Sequence, residues 1–463
     1  MYVLAIDQGT SSTKALVVAP GGSIAGAAEA AVHPRALGDG GVEQDPEELW
    51  SSVVAAGTQA VAAAGVPIGA VGLANQGETV LAWDRADGRP LSPAISWQDR
   101  RALALCAGLD GHATALRELT GLPLDPYFAA PKIAWLRAQG VRGGVCTTTD
   151  SWLLHRLCGA FVTDAATASR TLLLDLDAVA WSAAACETFA IDPKDLPEIV
   201  GCAEAVGETT TFGPRVAVAG LAVDQQAALF AESCLAPGEA KCTYGTGAFL
   251  LATVGAQARR STAGLVACVA WRLGDTTTYC LDGQAYTAGA ALHWLHGLGL
   301  IDDPSDLDRL CGARPDAGGT LFVPALAGLA APFWRPAARG VFAGLSLATS
   351  RADLLRAVVD GLAAQVAWLA RAVAADFGHP LACLRVDGGL TRSRLLMQSQ
   401  ADLLQAPVEV YPSPHATALG IAALARLGVG DATDGATALG PWRPAAVYEP
   451  RLAAAAAEER LQR

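Results

Sequence analysis

The sequence predicts an α/β protein whose two related halves face each other across a cleft. The chain has 463 residues, which is more than one hydrophobic core usually supports, so two large domains are expected. Strand-like and helix-like segments alternate, and a strand, a glycine and threonine turn, and a second strand occur near the start of each half. We therefore expect a duplicated fold with domains at 1–233 and 234–463 and a ligand in the cleft between them.

The first half begins with two apolar, β-branched strands joined by the polar turn 7–14, Asp-Gln-Gly-Thr-Ser-Ser-Thr-Lys. Gly9 lets the backbone approach a ligand closely, and the hydroxyls and amides from Thr10 to Thr13 can donate to phosphoryl oxygens. The carboxylate of Asp7 cannot bind a phosphate directly, but it can bind the hydrated Mg²⁺ that accompanies a nucleotide. The alternative is an ordinary hairpin with a polar turn.

The segments that follow alternate as an α/β unit requires. They are a helix at 46–64, a strand at 70–74, a polar segment at 75–101, helical periodicity from 102, a strand at 215–219 and a helix at 224–233.

The second half repeats the hairpin at 240–254, with Gly245, Thr246 and Gly247 in its turn. A third glycine element, Gly388-Gly389, follows a strand and precedes a helix, so its amides suit the phosphate or ribose of a nucleotide. Neither Gly-x-x-x-x-Gly-Lys-Ser/Thr nor a Gly-x-Gly-x-x-Gly that closes the first βα unit is present. The sequence therefore predicts a nucleotide held by paired hairpins, although each turn alone could be plain turn chemistry.

Asp224 is the candidate general base. It lies where a strand and a glycine turn lead into a helix, so its carboxylate is expected to face the cleft. Phosphoryl transfer to an alcohol needs a carboxylate within hydrogen-bond reach of the attacking hydroxyl, together with Mg²⁺ and donors to the phosphates. The alternative role is a helix N-cap, which Asp fills well and which does not exclude catalysis.

Glu78 and Trp97 form a second cluster, at the predicted ends of neighbouring strands. A carboxylate accepts hydrogen bonds from hydroxyl groups and an indole face packs on a carbon edge, so the pair suits a polyhydroxylated ligand. Trp97 could equally be a core residue, and Glu78 a solvated strand end.

The composition of the chain limits the kinds of partner that are expected. The chain has 33 Lys plus Arg against 45 Asp plus Glu, a formal net charge of −12, and no basic run, so nucleic acid is not an expected partner. The longest apolar stretches, such as 362–375, are interrupted by charge, and no leader is apparent, so we expect no membrane partner and a soluble, cytoplasmic protein. The 11 cysteines are scattered without Cys-x-x-Cys spacing and are expected to be reduced.

Together these segments resemble the FGGY family of carbohydrate kinases over almost the whole chain, and within it the members that phosphorylate glycerol. The resemblance rests on the stretches 7–12, 42–50, 97–101, 121–128, 163–171, 224–230, 243–247, 340–345 and 386–389. It implies a two-domain actin-like ATPase fold of the ribonuclease H-like type, which closes on ATP, Mg²⁺ and a polyol or sugar.

The resemblance also implies roles for individual residues. It assigns the catalytic base to Asp224, metal binding to Asp7 and Asp224, and substrate binding to Gly77, Glu78, Trp97, Tyr127, Asp224, Gln225 and Phe249. The residues around the nucleotide are Gln8, Thr10, Ser11, Ser12, Lys14, Thr246, Gly289, His293, Gly388, Gly389 and Ser393.

The departures from the family pattern concern the substrate. Gly77 stands where kinases of glycerol have an arginine, and this is expected to leave an opening that admits a longer or bulkier, even acidic, substrate. Lys14 replaces an arginine, His293 a glutamine and Ser393 an asparagine, while Ala-Ala-Pro-Lys at 129–132 replaces Ser-Gly-Thr-Lys.

The predicted activity is ATP-dependent phosphorylation of a primary hydroxyl of a small polyol or sugar, with glycerol as the leading substrate. The alternatives are another substrate of the family, namely a tetritol, a pentitol, a ketopentose such as xylulose or a sugar acid such as gluconate. A non-catalytic ATP-binding protein of the actin or Hsp70 type is the alternative from another class, and a homodimer is left open.

Overall fold

The computed structural model describes residues 1–312, 314 and 316–463. Within them the chain forms two large twisted sheets of six and seven strands, a five-stranded sheet and three two-stranded sheets. The strands are β1 (Val3–Gln8), β2 (Ser12–Val18), β3 (Ile24–Ala31), β4 (Arg35–Ala36), β5 (Val42–Gln44), β6 (Ala70–Asn75), β7 (Val80–Trp83), β8 (Ala94–Ile95), β9 (Val145–Thr148), β10 (Val162–Asp164), β11 (Leu174–Asp175), β12 (Ala180–Trp181), β13 (Glu198–Val200), β14 (Ala205–Thr209), β15 (Val216–Val223), β16 (Ala240–Tyr244), β17 (Ala248–Gly255), β18 (Val266–Leu273), β19 (Thr276–Ala285), β20 (Leu321–Val323), β21 (Val341–Ala343), β22 (Leu384–Asp387), β23 (Val408–Val410) and β24 (Ala446–Tyr448).

The helices cover the faces of these sheets. They are α1 (Pro46–Ala64), α2 (Leu103–Gly108), α3 (Ala113–Thr120), α4 (Ala129–Ala138), α5 (Thr149–Cys158), α6 (Ala165–Ala168), α7 (Ala183–Thr188), α8 (Asp224–Ala231), α9 (Gly289–Gly297), α10 (Leu307–Cys311), α11 (Arg351–Phe377), α12 (Arg394–Leu404), α13 (Ala416–Gly428), α14 (Gly435–Leu439) and α15 (Ala454–Gln462). Short 3-10 helices occur at Asp110–His112, Pro193–Asp195, Pro304–Asp306 and Gly389–Arg392.

The two large sheets share the same central arrangement, an antiparallel leading hairpin beside a parallel strand, which agrees with the predicted duplication. In the first, the order is β14-β15-β6-β1-β2-β3, with β1 antiparallel to β2 and parallel to β6. In the second, the order is β18-β19-β17-β16-β22-β23-β24, with β16 antiparallel to β17 and parallel to β22. In each half a leading hairpin therefore sits at the centre of the sheet, beside a parallel strand.

Helix α1 shows how local sequence sets an element. The Asp45 side chain accepts a hydrogen bond from the Glu47 amide, Pro46 occupies the first turn, and Gly65 ends the helix at φ +61°. Asp at the N-cap, Pro in the first turn and Gly after the last turn are the usual signals of helix ends. The predicted helix at 46–64 is confirmed to the residue.

Three predicted segments differ from the structure. The strand predicted at 215–219 continues to Val223 as β15 and pairs with β6, so it belongs to the first sheet. The helix predicted at 224–233 ends at Ala231. The polar segment at 75–101 contains the short strands β7 and β8, which pair with each other. Their brevity gave no alternation of polar and apolar residues that could be read from the sequence.

Helix α13 comes from the second half of the chain but packs on the first sheet, against β15 and α8. Glycines make this close approach feasible: a Cβ at Gly420 would lie 1.9 Å from the carbonyl oxygen of Ala227, and a Cβ at Gly220 would lie 2.5 Å from the amide nitrogen of Ala425. The helix thus holds the β15–α8 junction, which carries Asp224.

Helix α11 is, within the described residues, long and apolar enough to cross a membrane by length and composition. In the structure, 67% of its most apolar 18-residue window is buried, and it packs against α12 and the second sheet. Its apolar side chains are therefore those of a core helix.

Candidate active site

A cavity of about 250 Å³ lies where the two leading hairpins and the β15–α8 junction meet. Twelve residues predicted from the sequence line it: Asp7, Thr10, Ser11, Ser12, Lys14, Glu78, Trp97, Tyr127, Asp224, Gln225, Thr246 and Phe249. Both halves of the chain contribute. The predicted phosphate turns and the predicted polyol cluster therefore line the same cavity.

Asp7 and Asp224 form the acidic end of the cavity. Asp7 lies near the end of β1, with Lys14 opposite it on β2, and Asp224 is the first residue of α8. Burial raises the pKa of Asp7 to about 6, although the positive charge of Lys14 acts to lower it. Burial, followed by the charge of Asp7, raises the pKa of Asp224 to about 7. The two carboxylates are thus close enough to resist joint ionisation.

The N-cap role considered for Asp224 is wrong. Val223 occupies the N-cap position, and the Asp224 carboxylate instead accepts a hydrogen bond from the Gln225 amide at 2.7 Å. Thr417 of α13 donates to the Asp224 carbonyl oxygen at 3.3 Å. The backbone of Asp224 is thereby fixed while its side chain lines the cavity.

Three aromatic rings form the opposite wall. The ring centroids of Trp97 and Tyr127 are 5.8 Å apart and those of Trp97 and Phe249 are 6.2 Å apart, with interplanar angles of 74° and 79°. The Trp97 indole nitrogen donates to the Thr10 hydroxyl at 2.9 Å. The aromatic wall is therefore tied directly to the first hairpin.

Glu78 lies at the base of this wall and is paired with a residue that the sequence reasoning missed. Arg170 donates through Nε to Glu78 at 2.5 Å and through NH1 to Asp282 of β19 at 2.7 Å. All three side chains are at most 5% exposed. Burial raises the pKa of Glu78, and the Arg170 guanidinium opposes that rise.

Lys132 holds the loop that presents Tyr127. Its ammonium group donates to the carbonyl oxygens of Pro126, Tyr127 and Phe128 at 2.9, 2.5 and 2.7 Å. Burial lowers the pKa of Lys132 to about 7. Lys132, the residue of the 129–132 segment that matches the family pattern, therefore fixes the backbone that presents Tyr127 to the cavity.

Gly77 is buried and does not line the cavity. Its φ is +65°, and a Cβ there would lie 3.2 Å from Cγ1 of Val223. The expected opening is therefore not found next to the Cβ position, because Val223 fills that space.

The remaining glycine elements converge on the second hairpin, outside the cavity. The Gly289 amide at the start of α9 donates to the Gly245 carbonyl oxygen at 2.9 Å. Gly388, with φ +94°, lies so close to β16 that a Cβ would be 2.4 Å from the Tyr244 carbonyl oxygen. Gly389 is exposed, with nothing within 4 Å of its Cβ position. Of these three glycines only Gly389 is exposed, because Gly289 is buried and Gly388 is half-buried.

Seven predicted site residues do not line the cavity: Gln8, Gly77, Gly289, His293, Gly388, Gly389 and Ser393. Gln8 is fully buried and donates to the Gly9 carbonyl oxygen. His293 is exposed on α9. Ser393 is the N-cap of α12 and donates to Asp308. Ser12 does line the cavity, but its hydroxyl donates to Glu29 at 2.6 Å.

Arg170, Gln226 and Asp282 are among the cavity-lining residues that sequence reasoning missed. A signal existed for each. Arg170 and Gln226 stand inside stretches that carried the family resemblance, and Asp282 directly follows the apolar residues Cys280 and Leu281 in the buried half of strand β19. A charged residue within a buried strand indicates a partner or a site.

The donor set at the acidic end fits Mg²⁺. Asp7 and Asp224 offer carboxylate oxygens, the ligands that this cation prefers, and the charge of Asp7 adds to the effect of burial in raising the pKa of Asp224. No group of three or more His, Cys, Asp or Glu side chains placed to hold a metal occurs in the described part of the chain. A cation here would complete its coordination with water and phosphate oxygens.

We expect an Asp7→Asn variant, studied without divalent cations, to be more stable than the parent protein at pH 8 by about 1–3 kcal/mol. The folded-state pKa of about 6 exceeds the ordinary value of 3.8, so the ionised carboxylate destabilises the fold above pH 6. Below pH 3.8 both states hold the proton and the effect vanishes. Urea unfolding with a chelator at pH 8 and pH 4.5 should show a smaller gain at the lower pH. A Glu208→Gln change at an exposed carboxylate is the control, and an equal gain for Asp7→Asn at both pH values would contradict the account.

Comparison with known proteins adds evidence from outside the chain. Residues 2–231 match the N-terminal domain, and residues 240–428 the C-terminal domain, of the FGGY family of carbohydrate kinases. The chain is similar to a glycerol kinase from Myxococcus xanthus, at 42% identity over 99% of the chain and 97% of the relative. It is 43% identical to one from Trichlorobacter lovleyi, over 93% of the chain and 90% of the relative.

Solved structures agree with these matches. The crystal structure of Plasmodium falciparum glycerol kinase with ADP superimposes with a TM-score of 0.91 at 32% identity, covering 100% of this chain and 96% of that one. A xylulose kinase from Rhodospirillum rubrum superimposes with a TM-score of 0.88 at 25% identity, covering 100% and 97%.

Proposed function

The chain belongs to the FGGY family of carbohydrate kinases, and from that premise we propose that it phosphorylates a primary hydroxyl of a small polyol, with glycerol as the leading substrate. As a member of the family it is a phosphotransferase with an alcohol acceptor and uses ATP. The observation that carries the proposal is the cavity in which Asp224 lies between a phosphate-type hairpin and the aromatic and carboxylate pocket.

In the proposed reaction, the polyol lies against Trp97, Tyr127 and Phe249 with its hydroxyl groups toward Glu78 and Gln225. Asp224 accepts the proton of the attacking hydroxyl, a task that a carboxylate within hydrogen-bond reach of that hydroxyl can perform. Lys241 donates to the Gln225 amide oxygen at 2.5 Å, so the amide nitrogen of Gln225 is turned away from the lysine and can donate elsewhere.

The phosphates are proposed to lie along the two hairpin turns, near Thr10, Ser11 and Thr246, with the nucleotide extending toward Gly289, Gly388 and Gly389. His293 and Ser393 are proposed to influence nucleotide affinity. Mg²⁺, held by Asp7 and Asp224, would neutralise charge on the phosphates. Closure of the two halves would exclude water from the reacting groups.

A non-catalytic nucleotide switch is the weaker alternative, because it requires neither an acidic residue at the α8 start nor a buried polyol pocket. A coupled ADP-release assay separates the two. With Mg·ATP we expect saturable turnover on glycerol in a panel that includes dihydroxyacetone, a tetritol, pentitols, xylulose and gluconate. No turnover of any compound in the panel would refute the kinase proposal. Turnover of only a compound other than glycerol would identify that compound as the substrate.

The role of Gly77 can be tested with two substitutions that share the same backbone strain. A non-glycine residue at φ +65° is expected to lower stability by about 1–2 kcal/mol in both Gly77→Ala and Gly77→Arg. If the missing guanidinium weakens glycerol binding, the Michaelis constant for glycerol should be about tenfold lower in Gly77→Arg than in Gly77→Ala, since a charged hydrogen bond contributes about 1.5–3 kcal/mol. Equal Michaelis constants would exclude that explanation.

We further propose a cytoplasmic location, which the 11 free and mostly buried cysteines support. Nucleic acid and membranes are not proposed as partners. A homodimer remains a proposal that light scattering on the purified protein would test.

A further inference from the structure

A group of buried polar residues next to the polyol pocket has no part in the proposed reaction. We call it the inner wall and define it as Arg170, Gln226, Asp282 and Gln284. Asp282 and Gln284 stand two residues apart on β19, and Gln284 is opposite Phe249 of β17. Side chains of opposite residues lie on the same face of a sheet, so the inner wall continues the surface that begins with Phe249.

Arg170 connects the inner wall to the polyol pocket. Its guanidinium carbon is 5.7 Å from the centre of the Tyr127 ring, and its Nε and NH1 atoms bind Glu78 and Asp282, respectively. The inner wall therefore begins immediately beyond Glu78. A ligand held against Glu78 would extend toward Asp282 and Gln226, which also line the cavity.

Three acceptor atoms of the inner wall have no partner, namely Oε1 of Gln226, Oδ1 of Asp282 and Oε1 of Gln284, and the first two belong to residues that line the cavity. Oε1 of Gln226 and Oδ1 of Asp282 are buried and make no hydrogen bond with any described residue, although the residues are only 2% and 3% exposed. The other carboxylate oxygen of Asp282 receives both Arg170 and Gln284, and the amide nitrogen of Gln226 faces only the Cys268 sulfur at 3.7 Å. Buried acceptors are nearly always satisfied, so the two that belong to cavity-lining residues, on Gln226 and Asp282, indicate a ligand that donates hydrogen bonds.

The charge of the wall limits what that ligand can be. One guanidinium, Arg170, stands between two carboxylates, Glu78 and Asp282, which leaves an excess negative charge when all three are ionised. A carboxylate on the ligand would be repelled and would add acceptors instead of donors. A neutral hydroxyl group supplies the missing donor without a charge.

We propose that the inner wall is a second hydroxyl subsite, which accepts the additional hydroxyl groups of an uncharged polyol longer than three carbons. This inference rests on the proposed function, because it extends the same pocket away from Asp224. It selects tetritols and pentitols over sugar acids among the alternative substrates.

The test compares glycerol, erythritol and erythronate as acceptors, with Mg·ATP and full-length protein. Erythronate has the same number of carbons as erythritol but carries a carboxylate. We expect turnover of erythritol as well as of glycerol, and kcat/KM for erythronate to be at least tenfold lower than that for erythritol.

Two variants test whether residues of the inner wall cause these differences between substrates. Gln226→Met keeps the shape of the side chain but removes the unpartnered oxygen, so the erythritol-to-glycerol ratio of kcat/KM should fall about five- to tenfold. Asp282→Asn removes one negative charge, so the erythronate-to-erythritol ratio should rise. Gln365→Met is the matched control, since the Oε1 atom of Gln365 is also buried and unpartnered but lies on α11 outside the cavity. This control should leave both ratios unchanged.

The inference would be overturned if glycerol turned over and erythritol did not, if erythronate were the better four-carbon substrate, or if Gln226→Met and Asp282→Asn left both ratios at the parent values. In each of these cases the kinase proposal stands. Failure of the kinase proposal has a different signature, namely no turnover of any acceptor, glycerol included, and it would remove the inference with it. Circular dichroism and thermal unfolding establish that each variant is folded.

Discussion

An Asp224→Asn variant is expected to lose about 10²- to 10⁴-fold in kcat for phosphoryl transfer, the usual contribution of a general base. The substitution preserves the shape of the side chain and its hydrogen bond with the Gln225 amide, but the amide cannot accept the proton of the substrate hydroxyl. Because the effect falls on the chemical step, kcat should fall much more than the Michaelis constant changes. The ADP-release assay measures both.

Stability provides the control for this variant. Burial is the largest cause of the raised pKa of Asp224, so the ionised carboxylate destabilises the folded state. Asp224→Asn should therefore be at least as stable as the parent protein above pH 7, so that lost activity cannot be attributed to unfolding. A kcat within tenfold of the parent value would rule out Asp224 as the base and would turn attention to the metal and phosphate contacts.

An Arg170→Met variant is expected to lose about 3–5 kcal/mol of unfolding free energy, the usual effect of removing one partner from a buried ion pair. The change leaves Glu78 and Asp282 buried without their shared guanidinium. Part of this loss should be recovered at acid pH, because protonation of the carboxyl groups removes the unpaired charges. Urea denaturation at two pH values measures both effects.

The control is Arg215→Met, which breaks the Arg215–Glu208 pair, whose side chains are 72% and 59% exposed. Exposed pairs contribute about 0–1 kcal/mol, so this variant should unfold almost as the parent protein does. If Arg170→Met and Arg215→Met had similar effects, the buried cluster at the base of the pocket would not be an ion-paired unit.

Much of the fold could be predicted from local sequence because its signals are local. The first hairpin, helix α1 and the second hairpin are specified by β-branched runs, a capping aspartate, a proline and glycines that lie within a few residues of each other. The duplication could also be predicted, since each half begins with the same strand, turn and strand. Short elements such as β7, with four residues, and β8, with two, were missed because they are too short to show a period.

Site residues could be predicted from the sequence where a single residue type at a single position is enough for the chemistry. Asp7 and Asp224 stand at the ends of strands where a carboxylate has a task, and the structure brings both into one cavity. Gln8 and Ser393 were predicted by position in a motif, but their side chains are engaged with Gly9 and Asp308. A motif shows that a residue is near a site, while hydrogen-bond partners from other segments decide where its side chain points.

The sequence by itself determined the family, the duplicated α/β architecture, the two phosphate-type hairpins and the placement of Asp224 at a strand-to-helix junction, because these follow from periodicity and turn chemistry along the chain. Only the tertiary structure decided that Val223 fills the space beside Gly77. It alone brought Glu78, Arg170 and Asp282 together and left the acceptors of Gln226 and Asp282 without partners. The physical reason is that the partners of a buried charge can lie about 100 positions away in sequence. Such pairings depend on how whole sheets pack against each other. They therefore produce no pattern in the local sequence.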